Sequence, residues 1–440
     1  MELLKKRIKQ ISEEFVNQTQ KEVLVISHFD TDGISSAAII TKLLKKLDLR
    51  FSIKILKSLD NEFIKTLPED KTILFLDLAS NSLSELKEIR TSIFILDHHE
   101  ITQEIPKNVF ILNPHAEKSK QRISSAGLCY LFAKEIIGEL EDISKLAVLG
   151  MVGDTLEKEI DILNHSILKS EEIKKKRGLL LYPSTRPINK VLEYSSSPFI
   201  PGVTGDAEGV SELLREISLT PENKKYKSLL ELNQEEMKKL TTAIILRNPK
   251  TNEKKIIGDI FLLKFFNKLE DAREMSAMIN ACSRLGEPNT ALHLCLEKEN
   301  SRKKAETIYA KYRKEILSSI RKIKEIEKIN GKGYIILNAK DQILFTIIGT
   351  LASILSNSPD YEEGTIIIAL AYDQEKIKIS ARSVGNSDRN LRELLQKIMQ
   401  NFDGEIGGHA NAAGCMIEKK DEQSFIESIR KNLEIEQIKI

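Results

Sequence analysis

The chain has 440 residues, of which 41% are hydrophobic and 30% charged, with a formal net charge of +2. That length is roughly three domains' worth of chain, the apolar fraction suffices for buried cores, and no run approaches the ~18 apolar residues of a membrane span. A near-neutral balance excludes attraction of a polyanion by the overall field, leaving that task to a local basic face; four cysteines, at 129, 282, 295 and 415, form no Cys-x-x-Cys pair and point to a reducing cytoplasm without disulfides.

Leu4, Ile8, Ile11 and Phe15 form the stripe of a leading amphipathic helix. Its interspersed glutamates and the lack of a small-residue cleavage site argue against a secretion signal. Val23 to Ile26 then reads as a short buried strand, and the apolar series Ile34, Ala37, Ala38, Thr41, Leu44 as a helix. Between them stand His28, Asp30 and Asp32. In an extended segment alternate side chains share a face, so these three potential metal ligands would project to one side of the strand's carboxyl end. Open parallel sheets keep their ligands there, and Asp offered with His suits Mn²⁺ or Mg²⁺. The same residues also read as a turn in which the two acids merely cap a helix.

Matching ends follow. Asp77 closes the apolar run from Thr72, Asp97-His98-His99 close the run from Ser92, and Asp154 follows the run from Ala147 as a fourth such end. Solvation alone is a poor explanation for four of them. Strands near 23–27, 51–56, 72–77, 92–96 and 109–112, separated by helices at 34–47, 60–67 and 81–90, predict an α/β domain with a mostly parallel sheet. Ser124-Ser-Ala-Gly127 opens a further helix with N-cap hydroxyls, for which capping is a simpler role than substrate contact.

From 161 to 255, helical patterns at 164–177, 209–217 and 224–243 are broken by Pro183, Pro187, Pro198 and Pro201 and by glycines, as expected of an inserted helical module. Lacking motifs, it is the expected surface for a partner protein. A helix from Asp271 stops at Gly286 with Asn280 and Arg284 on one face. A longer one over 301–330 carries ten basic side chains with Tyr309 and Tyr312 interleaved, either a solvated face or a guide for a polyanion with tyrosines available to stack bases. Strands at 333–338, 364–371 and 376–381 with helices at 341–356, 388–400 and 421–433 predict a smaller α/β lobe. It contains Arg382, Ser383 and the run Gly407-Gly408-His409. Paired glycines allow close backbone approach, and a helix starting after them would aim free N–H groups at a phosphate.

Together these motifs resemble the DHH phosphoesterase superfamily, named for the triplet seen here as Asp97-His98-His99. Asn280-Ala-Cys-Ser-Arg284-Leu-Gly286 is similar to the linker motif of RecJ-type single-strand exonucleases, Lys378-Ile-Ser-Ala-Arg382-Ser383 to the family's Arg-Ser strand, and Gly407 to Gly414 to the Gly-Gly-His loop of the DHH-associated domain. The resemblance implies a DHH catalytic domain over 1–165, a helical insertion over 166–270, linker helices over 271–330 and a DHH-associated substrate-binding domain over 331–440. It also implies hydrolysis of phosphodiester bonds in single-stranded DNA or RNA by two Mn²⁺ ions, with Mg²⁺ as the alternative.

By the same resemblance His28, Asp30 and Asp77 hold one ion, and Asp32, Asp77, His98 and Asp154 the other, with Asp77 bridging. Asp97 orients an imidazole, and His99 is either a ligand or the proton donor to the leaving group. Arg284, Asn280, Arg382, Ser383, Gly407, Gly408 and His409 bind substrate, Arg284 by a guanidinium fork on a backbone phosphate. Bacterial RecJ carries Asp where His28 stands, while archaeal relatives resemble this chain; the oligonucleotide-binding barrel that follows the core in bacterial RecJ has no counterpart here. The implied partners are single-stranded nucleic acid and GINS or other replication proteins, with no membrane. The rival readings are a nanoRNA or cyclic-dinucleotide phosphodiesterase, opposed by Arg284 and the basic helix, and a non-catalytic replication scaffold, opposed by the intact ligand set.

Overall fold

A computed structural model describes residues 2–438 except 20–21, 140–141, 159, 171, 182, 196–197, 250–255, 386–388 and 405. The chain forms two compact units, one of residues 1–178 with 258–310 and one of residues 179–257 with 311–440. The expected module end at 255 and the start of the expected helix at 388 lie outside the described residues.

The first unit is built on five parallel strands, β1 (Val23–His28), β2 (Phe51–Leu56), β3 (Thr72–Leu76), β4 (Ile93–Leu96) and β5 (Val109–Leu112), in the order β2-β1-β3-β4-β5. Their near-continuous apolar runs are what a parallel sheet covered on both faces requires, and β3 and β4 are buried throughout. Helices α1 (Glu2–Gln18), α2 (Thr31–Lys46), α3 (Asn61–Lys65), α4 (Leu83–Leu86), α5 (Ser125–Ile137), α6 (Ser144–Gly153) and α7 (Ile162–Ile167) surround it. Phe15 of α1 meets Phe94 and Phe132 edge-on at 5.1 and 5.4 Å, fixing the leading helix to the sheet and to α5. Because β2 and β3 flank β1 on opposite sides, successive connections leave β1 in opposite directions. That switch point opens a crevice at the carboxyl ends of β1 and β3.

Two expectations fail in this unit. Asp154 ends a helix, α6, and not a strand. Its apolar run is buried almost all round, and periodicity cannot separate a fully buried helix from a fully buried strand. The helix expected over 164–177 stops at Ile167, and β6 (Ile173–Leu179) follows, joined to β7 (Ile257–Phe265) and β8 (Lys268–Asp271) in a three-stranded sheet. Helices Ala272–Arg284 and Pro288–Cys295 complete the unit.

In the second unit, helices Ile188–Glu193, Ala207–Glu216 and Gln234–Arg247 pack Leu192, Val210, Leu213, Leu214, Leu240 and Ile244 into one core. The last begins ten residues later than expected because Asn233 and Glu236 form a capping box at that point. The carboxyl-terminal lobe is a six-stranded sheet of β9 (Lys328–Gly331), β10 (Tyr334–Asn338), β11 (Ile366–Asp373), β12 (Lys376–Ser383), β13 (Ile406–His409) and β14 (Ala412–Glu418), ordered β13-β14-β12-β11-β10-β9. Only β10 and β11 run parallel. Gly407-Gly408-His409 therefore lies on a strand, with Gly407 opposite Gly414, and the next element is the strand β14, where a helix was expected.

The long helix ends at Lys322, so Lys324 leaves it and Lys328 sits on β9. Tyr309 and Tyr312 are 6% and 5% exposed, and the Tyr312 hydroxyl meets Thr350 Oγ1 at 2.9 Å. Both rings belong to packed interiors and are not stacking platforms. No helix among the described residues is long and apolar enough to cross a membrane.

Candidate metal centre

At the end of β1 the chain turns through Asp30, the N-cap of α2, whose Oδ1 accepts the Gly33 N–H at 3.0 Å. Capping and ligation coexist, since Asp30 Oδ2 faces His28 Nδ1 at 3.1 Å. Gly33 is required here: a Cβ would stand 2.3 Å from the His28 carbonyl oxygen. Asp32 lies on the first turn of α2, so helical geometry and not strand alternation brings it inward. It accepts the Ser125 and Ala126 N–H groups at 2.7 and 2.9 Å, a carboxylate docked on the positive end of α5. Ser124 caps that helix by accepting from Gly127, and Ser125 Oγ donates to Asp77 Oδ1 at 2.9 Å.

Asp77 follows β3 with φ of 59° and is 1% exposed. A left-handed backbone at a non-glycine residue costs on the order of 1–3 kcal/mol and gathers where function constrains the chain. Asp97 accepts the Ser80 N–H at Oδ2 (3.1 Å) and the His98 N–H at Oδ1 (2.8 Å), and its Oδ1 lies 2.7 Å from His99 Nδ1. Asn113, just past β5, donates to the His99 carbonyl at 2.9 Å and to Ser80 Oγ at 3.0 Å. Sequence reasoning passed over Asn113, although its place after the fifth parallel strand was the available signal. Asp154 is the C-cap of α6, which can approach because Gly150 carries no side chain; a Cβ there would fall 2.2 Å from Asp32 Oδ1.

Among the described residues three sets hold ligand atoms within 4.8 Å of one another: His28-Asp30-Asp77, Asp77-His98-His99 and Asp32-His98-Asp154. Asp77 and His98 each belong to two sets. Asp77 Oδ2 is 3.3 Å from His28 Nδ1, Asp77 Oδ1 is 3.5 Å from His98 Nε2, and His98 Nε2 is 3.3 Å from Asp154 Oδ2. Yet His28 Nδ1, Asp77 Oδ2 and Asp154 Oδ2 are buried without a hydrogen-bond partner among the described residues. Orphaned polar atoms of this kind are costly.

The electrostatics agree. Burial, reinforced by the charges of Asp30 and Asp32, pushes the Asp77 carboxyl well above the usual carboxylate range, and burial with Asp32 and Asp77 does the same to Asp154. Asp32 is raised by burial despite its amide donors. At the Asp97-His99 pair, burial opposes both charges but loses: the imidazole holds Asp97 low, and Asp97 lifts His99 to about 9. A site of carboxylate and imidazole donors without thiolate, three of whose buried atoms form no hydrogen bond among the described residues, fits hard to borderline divalent cations such as Mg²⁺ or Mn²⁺.

The expected substrate residues fall into two groups. Asn280 and Arg284 are in the same unit as the cluster. Asn280 Oδ1 accepts the Thr31 N–H at 3.1 Å, and Thr31 Oγ1 donates to the Ser276 carbonyl at 3.0 Å, so helix Ala272–Arg284 is bonded to the turn that carries Asp30 and Asp32. Arg284, one turn further, is half-buried. Arg382, Ser383, Gly407, Gly408 and His409 are in the second unit. Arg382 donates to Ser353 Oγ at 2.9 Å and to the Ala381 and Ala413 carbonyls at 2.7 and 3.3 Å, Ser383 Oγ is buried without a partner among the described residues, and Gly407 to His409 are exposed.

Comparison with known proteins gives this geometry a family. Residues 22–153 match the model of the DHH family, N-terminal domain, residues 181–256 that of the DHH-CID domain and residues 331–434 that of the DHHA1 domain. The DHH-CID match lies between β6 and β7 in the chain. An uncharacterized protein of Methanocaldococcus jannaschii is 29% identical, covering 97% of this chain and 96% of its own. Among solved structures, CDC45 from Entamoeba histolytica superposes with a TM-score of 0.69 at 14% identity, covering 97% of this chain and 99% of its own. RecJ from Thermus thermophilus in complex with Mn²⁺ gives 0.60 at 17% identity over 98% of this chain and 54% of that one, and exonuclease RecJ bound to manganese gives 0.58 at 16% over 96% and 93%. Such identities show a shared fold. By its three matched domains and its RecJ- and CDC45-like fold, the chain belongs to the DHH phosphoesterase superfamily.

Proposed function

We propose that this chain is a Mn²⁺-dependent, RecJ-like exonuclease that hydrolyses phosphodiester bonds of single-stranded DNA or RNA. The observation that carries the reading is the pair of shared ligands, Asp77 and His98, together with buried oxygens on Asp77 and Asp154 that form no hydrogen bond among the described residues. A bound pair of divalent ions would supply an activated water and neutralise charge on the attacking and leaving oxygens. His28 and Asp30 with Asp77 would hold one ion, and Asp32, His98 and Asp154 with Asp77 the other.

The remaining residues prepare that site. The α5 amides fix Asp32, Ser125 fixes one oxygen of Asp77, and Asp97 holds the His99 ring in one orientation through Nδ1. A ring so held is placed to ligate or to pass a proton to the leaving oxygen. Arg284 would clamp a backbone phosphate, with Asn280 anchoring its helix to the ligand turn. Arg382, Ser383, Gly407, Gly408 and His409 would take further phosphates or bases of the strand.

A second reading, a scaffold for replication proteins such as GINS, draws on the likeness of fold to CDC45. The ligand atoms that form no hydrogen bond among the described residues favour the enzyme, because a scaffold has no use for them. Incubation with Mn²⁺ or Mg²⁺ and single strands labelled at either end, as DNA and as RNA, tests the proposal. Stepwise shortening lost in Asp77→Ala and Asp154→Ala supports it; tight ion binding without hydrolysis of any strand would leave the scaffold. An Arg284→Ala loss equal on long strands and dinucleotides would favour the small-substrate phosphodiesterase.

A further inference from the structure

Leu96 and Leu112 are paired in register at the ends of β4 and β5, so the chain leaves the sheet at Asp97 and Asn113 side by side. Pro114 follows and disfavours a helical backbone at Asn113. Asn113 is fully buried, and its Oδ1 accepts the His115 N–H at 2.8 Å. That local turn needs only the oxygen, and an aspartate would close it as well. The amide nitrogen goes elsewhere. It donates to the His99 carbonyl at 2.9 Å and to Ser80 Oγ at 3.0 Å, on the connections that follow β4 and β3. An ionised carboxylate has no hydrogen to offer either oxygen.

These bonds close a ring. Ser80 gives its N–H to Asp97 Oδ2 at 3.1 Å, and Asp97 Oδ1 takes the His98 and His99 N–H groups at 2.8 and 3.2 Å. The triplet is therefore held from both sides, its amides by Asp97 and its last carbonyl by Asn113. With the backbone so fixed, only the side-chain torsions of His98 remain to be set, and its Nε2 stands 3.5 Å from Asp77 Oδ1 and 3.3 Å from Asp154 Oδ2. The set His28-Asp30-Asp77 has no member in that ring.

We propose that Asn113 is a positioning residue for one of the two ions and not for the other. It holds the His98-His99 turn so that His98 can serve the ion shared with Asp32, Asp77 and Asp154, while the ion on His28, Asp30 and Asp77 does not depend on it. The inference rests on the two-ion reading above and names which ion is lost first. Groups that orient ligands from behind in this way govern metal affinity without touching the metal.

The test is titration of the full-length, metal-free protein with Mn²⁺ in the absence of nucleic acid, followed by calorimetry and electron paramagnetic resonance. The variants are Asn113→Leu, of similar volume without donors, and Asn113→Ser, whose hydroxyl can still close the turn on His115 but is too short to bridge both oxygens. Wild type should bind two ions. Both variants should keep one of them within about twofold and bind the other roughly 10–100-fold more weakly, recovering strand hydrolysis as Mn²⁺ is raised. A residue that only anchors the fold would lower the Tm of the metal-free protein and leave the ratio of the two affinities as in wild type. That result, or wild-type affinities in folded Asn113→Ser, overturns the proposal. Fewer than two ions on the wild type removes the two-ion reading and this inference with it, whereas two ions without hydrolysis of any strand removes the nuclease reading alone.

Discussion

His99 Nδ1 lies 2.7 Å from Asp97 Oδ1, and the same carboxylate takes the His98 and Ser80 N–H groups. One buried acid thus fixes the backbone of the triplet and the orientation of its last ring. Asp97→Asn keeps the volume but replaces acceptor capacity with an amide that cannot serve all of these donors. Metal affinity or activity should fall by roughly 10–100-fold, the usual cost of losing such a supporting partner. The pH signature is specific. His99 is raised to about 9 in the fold from ~6.5 unfolded. Its contribution to stability is fully present below the unfolded value and lost as pH rises through about 9. In metal-free protein the Tm gap between wild type and Asp97→Asn should be widest at pH 6 and narrow by pH 10; a constant gap would deny the pairing.

Asp77 has the same sign of pH dependence from the opposite cause, since the fold disfavours its charged form where it favours that of His99. Burial, Asp30 and Asp32 raise its carboxyl well above the usual range. Metal-free protein should therefore lose stability as pH climbs from ~4 through the raised value, and ion binding should release protons, its affinity rising with pH. Asp77→Asn should flatten the metal-free pH profile and raise Tm by about 2 °C near neutrality, while abolishing the Tm gain on adding Mn²⁺. Calorimetry in buffers of different ionisation enthalpy would count the protons. A variant that is less stable without metal and still gains from Mn²⁺ contradicts the ligand role.

What the amino-acid order revealed follows from how each residue is held. His28, Asp77 and Asp97 were legible because each ends a β-branched or leucine-rich run, which announces a buried strand and its carboxyl end. Asp154 was legible as an acid but not as a helix end, since α6 has no polar face to display a period. Ser125 showed as a cap residue, while its bond to Asp77 depends on a register between β3 and α5 that only the fold supplies. The carboxyl-terminal hairpin was missed because Gly407, Gly408 and Gly414 lower any strand signal, and β6 was missed because a run of lysines has no apolar period at all.

Gly150 and Gly407 form a contrasting pair. A methyl group at Gly150 would meet Asp32 Oδ1 at 2.2 Å and Ala126 Cβ at 2.4 Å, whereas one at Gly407 meets nothing within 4 Å. On helix propensity alone Gly150→Ala should gain about 1 kcal/mol; the overlap should reverse this to a loss of about 1–3 kcal/mol, with weaker Mn²⁺ binding as Asp32 is displaced. Gly407→Ala should leave the thermal transition and Mn²⁺ binding unchanged. A change confined to strand cleavage would then report on the exposed β13 edge alone. Equal thermal behaviour of the two variants would show that α6 and α2 are not packed at Gly150.

The tyrosines of helix Ser301–Lys322 separate two roles for a basic helix. Tyr312 is 5% exposed with its hydroxyl against Thr350 Oγ1 at 2.9 Å. A ring in that state cannot stack on a base without leaving its packing. Tyr312→Phe should cost about 1 kcal/mol through the lost hydrogen bond, and Tyr312→Ala about 3–5 kcal/mol through the cavity. Single-strand affinity, measured on Tyr312→Phe by fluorescence anisotropy, should match wild type, because whatever grip this helix provides comes from charges such as Lys303, Lys311 and Lys314. Base stacking is worth about 1–3 kcal/mol when the ring is removed, and a phenyl ring stacks as a phenol does, so a drop of tenfold or more in affinity for a folded Tyr309→Leu or Tyr312→Leu variant would return these residues to the nucleic-acid surface.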